Sequence, residues 1–354
     1  MSTHGPLYEH IEDVERLDYY RSGGYHTIQI GDIFQNRYLL DRYDIEEPNG
    51  RHSCLVTTPA RCILADAVEA ADYTPSKLCV ARSLAAQLAM AVAHIHELGY
   101  FHGGEYLALA LFAHRVTCGH IPNPRQIFIW ETYSSCQTLT PIQPSSFMTI
   151  MDHQFRTLVK IILSDFGTAF CPSQESVCVS CTPLQVRPPE ARFAPTEPLS
   201  YPSDIWSLGC MIWAVLGVRP VLNSWLFGWD DATMDQVDAV GPLPDEWWKS
   251  WEKGSKWFAG NGKPIEGRHV EAFKQRFEDA IQEPRRKMGT EVIGEEERDA
   301  LFEMIRGMLV FSPGDRLSAN RILQTEWMRK WAVPEAERTW GQAWSCSSRS
   351  VRGS

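Results

Sequence analysis

The segment from Ser203 to Gly217 is the strongest constraint on the fold, because apolar residues cover nearly every side of the helix it would form. Its large apolar residues are Ile205, Trp206, Leu208, Met211, Ile212, Val215 and Leu216. A helix that is hydrophobic all round must be buried. With 354 residues, 44% of them hydrophobic, the chain can build a core large enough to bury it. We therefore expect this helix to be buried in the core.

The net charge of −10 argues against non-specific nucleic-acid binding, which needs a basic surface, and suits a basic peptide partner. No apolar run reaches the ~20 residues of a membrane span, and residues 1–18 lack the apolar core of a secretory signal. Ten cysteines in a chain of this length do not suggest a disulfide scaffold. We expect a cytoplasmic or nuclear protein whose partner is a protein, with no nucleic acid and no membrane.

Four motifs follow one another along the chain. Ile161-Ile162 reads as the end of a buried strand and leads to Asp165-Phe166-Gly167. Three motifs follow: Arg187-Pro-Pro-Glu190, Ser203-Asp-Ile-Trp-Ser-Leu-Gly209 and Ser312-Pro-Gly-Asp-Arg316. This order resembles the C-terminal lobe of eukaryotic protein kinases. The resemblance implies an α+β protein-kinase-like fold with an intact, mostly helical C-lobe.

The same resemblance implies a role for each motif residue. Asp165 would hold Mg²⁺ on the nucleotide phosphates, Phe166 would pack into the core and Gly167 would turn the backbone. His102 would pack beneath Phe166, and Asp204 would cap the backbone of the catalytic loop. Glu190 and Arg316 would form a mostly buried ion pair.

The beginning of the domain resembles SR-protein kinases, particularly their fungal relatives. The resemblance rests on Tyr25-His-Thr-Ile-Gln-Ile-Gly-Asp-Ile-Phe-Gln-Asn-Arg-Tyr38. Residues 39–56 then resemble the family's fourth and fifth strands, with Asn49-Gly50 as the hairpin turn. Gly-x-Gly-x-x-Gly is absent from the sequence, and residues 1–76 contain no lysine. We therefore predict a small β N-lobe remnant that lacks the Gly-rich loop, the strand β3 Lys and the αC helix.

The stretch from His102 to Phe112 resembles the catalytic loop of the family. There an Asp accepts the proton of the substrate hydroxyl, and an Asn five residues later holds a second Mg²⁺. Gly104 stands at the Asp position and Leu109 at the Asn position. We predict that no catalytic residue is intact. ATP and Mg²⁺ are implied by the family, but only Asp165 remains to bind them, and we expect it to hold Mg²⁺ weakly.

The predicted organisation has four parts: a leader over 1–24, an N-lobe remnant and hinge over 25–60, the C-lobe over 61–332, and a polar tail over 333–354. An insert over 113–160 is predicted to be a surface hairpin. Thr74-Pro75 is typical of a helix start, and the long helix that follows should end at Gly99. A last helix is predicted from Ser318 to Trp331.

Two further features have alternative interpretations. Cys178-Val-Ser-Cys181 is interpreted as a pair of free thiols, because a zinc site needs further ligands at matching spacing. Six tryptophans between residues 225 and 258 can form a binding platform or pack in the core, and core packing is favoured.

Three functional hypotheses follow. The chain is an active Ser/Thr kinase acting on Arg-Ser-rich proteins, a pseudokinase that binds proteins, or a truncated gene product. A gap in the N-lobe favours truncation, because one gap removes several parts together. The separate changes at Gly104 and Leu109 favour the pseudokinase, because a gap does not explain them.

Overall fold

The computed structural model describes residues 42–47, 50–55, 62–64, 74–104, 109–113, 159–163, 168–222, 228–259 and 262–338. These residues belong to two compact units. The smaller contains the hairpin between residues 42 and 55, and the larger contains the described residues from 62 to 338. The predicted leader lies outside the described residues.

The hairpin of the smaller unit consists of β1 (Arg42–Glu47) and β2 (Gly50–Leu55), which pair antiparallel. Glu47 pairs with Gly50, so Gly50 is part of a strand. The predicted turn at Asn49-Gly50 is therefore wrong by one residue, because this register leaves positions 48 and 49 between the strands. Both strands lie within the N-lobe remnant predicted over 25–60.

The sheet of the larger unit is antiparallel, with the order β3 (Cys62–Ile63), β4 (Leu109–Ala113) and β5 (Val159–Leu163). Ala113 at the end of β4 pairs with Val159 at the start of β5. The chain thus leaves the sheet and returns to it at the same place, so the predicted insert begins and ends at one point. Residues 114–158 themselves lie outside the described residues.

Helix α1 (Leu78–Glu97) crosses the core of the larger unit. It is long and apolar enough to resemble a membrane span, but 78% of its most apolar window is buried inside the protein. The predicted helix start at Thr74-Pro75 is wrong: the N-cap residue is Lys77. Ser76 explains the delay, because its hydroxyl donates to Val215 O (3.2 Å) and its carbonyl accepts from Arg285 Nη1 (3.0 Å).

The remaining helices follow in sequence: α2 (Glu190–Phe193), α3 (Tyr201–Leu216), α4 (Trp229–Val240), α5 (Asp245–Ser250), α6 (Phe273–Phe277), α7 (Glu283–Lys287), α8 (Glu295–Met308) and α9 (Ala319–Leu323). A π-helical turn, Glu278–Gln282, joins α6 to α7. Short 3₁₀ turns cover Glu252–Lys256 and Pro313–Asp315.

Helix α3 is the central helix predicted from its apolar sequence. Thirteen of its sixteen residues are buried, and it packs against both α1 and α8. Gly209 permits the approach of α8, since a Cβ there would lie 3.1 Å from Leu309 Cδ2 and 3.3 Å from Met308 Cβ. The predicted burial of this helix is confirmed.

The C-terminal helical region differs from the prediction of one helix. Helix α9 ends at Leu323, and the chain is helical again over 326–338, with a π-helical stretch at Met328–Ala332. This helix continues six residues past the domain boundary predicted at 332, and Ala336 is fully buried. The burial of Ala336 was not predicted, because the terminal sequence is largely polar.

The tryptophan-rich stretch packs in the core. Trp251 is 4% exposed, and Trp247, Trp248 and Trp257 pack against the same cluster. The interpretation as core packing is confirmed for these four residues. Trp229 is half-buried and outside this cluster, and Trp225 lies outside the described residues.

Candidate functional site around the loop 101–104

The loop after α1 is joined to the segment that begins at Thr168. Gly99 ends the helix with a φ of 88°, and Phe101 then forms an isolated antiparallel bridge with Phe170. The two backbone N–O distances are 2.9 and 3.1 Å, and the ring centroids lie 5.0 Å apart. Asp165, Phe166 and Gly167 lie just before this bridge but outside the described residues. Their roles, and the contact of Phe166 with His102, stay predictions.

Asp204, in the first turn of α3, holds the loop by its backbone. Its Oδ2 accepts from His102 N (2.8 Å) and its Oδ1 accepts from Gly103 N (3.0 Å). His96 Nε2 of α1 lies 2.9 Å from the same Oδ2. The carboxylate is buried, and the amino end of a helix favours its negative charge. The predicted capping of the loop backbone by Asp204 is confirmed, and the part played by His96 was not predicted.

The loop conformation requires glycine at position 103. Its φ of 63° is in the left-handed region, and a Cβ would lie only 2.6 Å from Phe101 Cε1. Next to it, His102 is fully buried, and its Nδ1 accepts from Gly104 N at 3.2 Å. Thr168 Oγ1 donates to the His102 carbonyl at 3.3 Å. These contacts hold His102 as a buried structural residue, as its sequence context suggested.

The amide contacts of Asp204 fix the register of the loop. They identify His102 and Gly103 as the capped pair, so the next position is Gly104, which has no side chain. Leu109 is the first residue of β4, where it pairs with Leu163, and its side chain is a hydrocarbon. The assignment of Gly104 and Leu109 to the Asp and Asn positions of a catalytic loop stays a prediction.

The described part of the loop does not supply the groups that nucleotide and Mg²⁺ chemistry uses. Residues 101–104 carry one phenyl ring, one imidazole and two glycines, without a carboxylate or side-chain amide. Across the described part of the chain, no group of three or more His, Cys, Asp and Glu side chains is placed to hold a metal ion. Asp165, the remaining candidate ligand, lies outside it.

Glu190 and Arg316 form the buried ion pair that the motifs predict. Arg316 Nη1 and Nη2 donate to Glu190 Oε1 and Oε2 at 2.8 and 2.6 Å. The arginine side chain is 0% exposed and that of Glu190 is 9% exposed. The other guanidinium N–H groups donate to the carbonyls of Pro202, Val310 and Phe311. This prediction is confirmed, with every donor of the arginine satisfied.

The segment between the bridge and the ion pair is held by three hydrogen bonds, one of which lies within the segment. Leu199 N donates to Val177 O at 2.8 Å, Arg187 Nε donates to Thr182 O, and Ser207 Oγ of α3 donates to Val186 O at 3.1 Å. The bonds from Ser207 to Val186 and from Ser203 Oγ to Glu190 Oε1 (2.8 Å) hold the segment against the central helix.

A second charged cluster, centred on Asp230, was missed by sequence reasoning. Asp230 Oδ1 accepts from Arg192 Nη2 (2.6 Å) and Trp251 Nε1 (3.0 Å), and Lys253 Nζ lies 2.9 Å from Oδ2. The hydrogen bonds from Arg192 and then Lys253 lower the pKa of the Asp230 carboxyl to about 2. The cluster joins α2 to the start of α4. Acidic residues in the first turn of α4 are expected to stabilise the amino end of the helix, but the sequence does not indicate that Arg192 pairs with Asp230.

Two more buried ion pairs have no local sequence signal. Arg82 of α1 donates to Glu297 of α8 at 2.8 and 2.6 Å, and Arg276 of α6 donates to Asp235 of α4 at 3.2 and 2.6 Å. The two residues of each pair are 215 and 41 positions apart in the sequence, respectively. Both join helices, so their role is structural.

Comparison with known proteins gives one family and two relatives. The family model described as protein kinase domain matches residues 144–328, just over half of the chain. Serine/threonine-protein kinase AFC3 of Arabidopsis thaliana is 23% identical over 77% of this chain and 62% of its own length. Serine/threonine-protein kinase AFC2 of the same plant is 22% identical over 89% of this chain and 65% of its own length. The chain thus spans less than two thirds of the length of these relatives.

Proposed function

Since the chain belongs to the protein kinase domain family, we propose that it is a catalytically impaired member of the SR-protein-kinase type that serves as a protein-binding module. The family generally uses ATP and Mg²⁺ to phosphorylate proteins. Impairment, the SR-protein-kinase branch and the truncated N-lobe belong to this proposal.

The observation that carries the proposal is the position of Gly104. Asp204 binds the amides of His102 and Gly103, so the loop is anchored as a working catalytic loop would be. The residue that should then present a carboxylate is a glycine. Without this base, the substrate hydroxyl has no group at that position to take its proton.

Catalytic groups missing at other positions also argue against phosphoryl transfer. Phosphoryl transfer depends almost entirely on positioning and on charge stabilisation by preorganised groups. Leu109 provides no oxygen for a second Mg²⁺, and residues 1–76 provide no lysine for the phosphates. Asp165 alone would bind Mg²⁺ weakly, because this ion usually relies on substrate phosphates for further contacts. These residues therefore do not form a site for ATP and Mg²⁺.

The parts that remain are those that maintain a rigid scaffold. The Glu190–Arg316 pair ties α2 to the turn after α8, and Asp204 holds the loop 101–104 on the central helix. The bonds at Val177 and Thr182 fix the segment between Phe170 and Glu190. Such a scaffold can present a binding surface without catalysis. The net charge of −10 favours a basic partner, and Arg-Ser-rich proteins of the cytoplasm or nucleus have the matching charge.

The alternative is an active Ser/Thr kinase acting on Arg-Ser-rich proteins. The names of the two relatives favour it, since both are serine/threonine-protein kinases. A truncated gene product with an active full-length relative is the third possibility. Sequencing the transcript across the codons of Tyr38 and Leu39 would distinguish it, because additional codons there would restore the missing N-lobe parts.

The binding role is tested by calorimetric titration of the whole chain with an Arg-Ser repeat peptide, without nucleotide. The control peptide has the same length, with every Arg replaced by Gln. We expect binding of the Arg-Ser peptide, weaker as salt is raised, and none of the Gln-Ser peptide. Equal heats for both peptides, or none for either, would contradict a module for basic partners.

A further inference from the structure

A cavity of about 530 Å³ lies between the end of α4, the start of α6 and the end of α8. Its lining includes no residue of the loop 101–104, so it is separate from the site described above. Its floor consists of core side chains that are at most 7% exposed: Leu243, Phe273, Leu309 and Phe311. The volume is in the range of small-molecule sites, ~300–1,000 Å³.

Ring contacts with the central helix fix the shape of this floor. The ring centroid of Phe273 lies 5.1 Å from that of Trp213, and the ring of Phe311 lies 6.2 Å from that of Trp206. Both tryptophans belong to α3 and are fully buried. The packed core, and not a set of mobile surface side chains, therefore sets the form of the cavity.

Arg306 is the only cation among the described residues that line the cavity. Its guanidinium lies over the rings of Phe273 and Phe302, 5.3 and 5.6 Å from their centroids. Within the described part of the chain, its side chain makes no hydrogen bond and no ion pair, so its N–H donors are unused. A planar guanidinium held on aromatic rings can bind a carboxylate through two parallel hydrogen bonds. The cavity thus combines an apolar floor with a receptor for an anion.

Asp315 restricts the charge of that anion. Its exposed carboxylate also lines the cavity, and it has no side-chain partner within the residues that the structure describes. Because like charges repel, a ligand with two negative charges, such as a phosphate monoester, is disfavoured here. A single carboxylate that pairs with Arg306 meets less of this repulsion.

The backbone around the cavity restricts the body of the ligand. The carbonyls of Val310 and Phe311 already accept hydrogen bonds from Arg316. Two other lining residues, Pro242 and Pro244, have no N–H to donate. A peptide in the cavity would leave backbone polar groups without partners, which is costly, whereas a hydrocarbon chain has no such groups.

We propose that this cavity binds a small monocarboxylate with an aliphatic chain, of the medium-chain fatty acid class. Its carboxylate pairs with Arg306, and its chain lies on the apolar floor. Burial of the chain supplies affinity, and the guanidinium fixes the direction of the ligand. Binding needs neither phosphoryl transfer nor a basic partner, so it does not depend on the proposed function.

The test is calorimetric titration of the whole chain with octanoate at neutral pH, compared with octylammonium, which has the same chain length and the opposite charge. The protein has a net charge of −10, so non-specific attraction would favour the ammonium. We expect octanoate to bind about tenfold more tightly than octylammonium, because only the carboxylate accepts from Arg306. It should also bind about tenfold more tightly than hexanoate, because each buried methylene adds to the affinity.

Substitutions in the lining locate the binding site. Arg306→Gln should weaken octanoate binding about tenfold, and Asp315→Asn should strengthen it about twofold by removing the like charge. Arg298→Gln is the matched control, because it makes the same change of charge earlier in α8, outside the cavity, and should have no effect. The proposal is overturned if octanoate shows no saturable binding or octylammonium binds as tightly. It is also overturned if Arg306→Gln has no more effect than Arg298→Gln, or if Asp315→Asn weakens binding.

Discussion

Removing the negative charge from the Glu190–Arg316 pair should destabilise the protein strongly. In Glu190→Gln the side-chain shape is kept, but the Arg316 guanidinium, 0% exposed, loses its only carboxylate contact among the described residues. Leaving a buried charge unpaired costs ~3–5 kcal/mol. That is a large part of the ~5–15 kcal/mol by which a domain is stable.

The reverse change should cost more. Arg316→Met leaves the Glu190 carboxylate with the hydrogen bond from Ser203 Oγ, and it removes a donor from the carbonyls of Pro202, Val310 and Phe311. Each buried carbonyl left without a donor costs ~1–3 kcal/mol, which adds to the ~3–5 kcal/mol of breaking the ion pair. The double variant has no buried charge, so its loss should be smaller than the sum of the two single losses by up to ~3 kcal/mol.

The assay is urea unfolding followed by tryptophan fluorescence, with free energies compared at equal m. Glu283→Gln is the matched control, because Glu283 pairs with Lys287 at the surface, where side-chain exposures are 44% and 70%. That change should cost less than ~1 kcal/mol. If Glu190→Gln costs no more than Glu283→Gln, the ion pair is not the structural link inferred here.

Two further changes test the loop and the Asp230 cluster. Gly103→Ala should lower the free energy of unfolding by at least ~1–2 kcal/mol, the cost of a left-handed residue with a side chain, because the added Cβ would also clash with Phe101. The control is Gly314→Ala, whose Cβ would meet nothing within 4 Å and should leave thermal unfolding almost unchanged. Equal effects of the two changes would contradict this account of the loop. The pKa of Asp230 is depressed from 3.8 to about 2, so its stabilising contribution is present above the ordinary value and is lost as the pH falls through the folded value. Asp230→Asn should therefore flatten the decline in unfolding free energy between pH 4 and 2, and an unchanged decline would exclude the cluster as its source.

The sequence predicted what depends on local pattern or on the spacing of motifs. The apolar faces of α3 required burial, and the motif residues Glu190, Asp204 and Arg316 make the expected contacts. The start of α1 was misplaced because Thr74-Pro75 has the right local chemistry, whereas Ser76 is held outside the helix by Arg285, 209 residues away. Tertiary contacts of this kind leave no local signal.

The same limit applies to the candidate site. The hydrogen bonds from the loop amides to Asp204 were expected from its motif, but the contact of His96 with Asp204 depends on how α1 packs on α3. Arg192 is a surface-type residue in sequence, and only the fold brings it to Asp230. Gly103 could be suspected of a special backbone conformation, but its close approach to Phe101 requires the folded loop.

The central claim is that the chain maintains a kinase scaffold without phosphoryl transfer. Its most direct test is the transfer of label from radiolabelled ATP to an Arg-Ser-rich peptide. The compared proteins are the wild type, the double variant Gly104→Asp/Leu109→Asn, and Asp165→Ala as the background control. Because the missing groups act as a unit, we expect all three to remain at background. Transfer by the wild type that is lost in Asp165→Ala would contradict the claim and establish an active kinase, and transfer by the double variant alone would show that the N-lobe parts matter less than proposed.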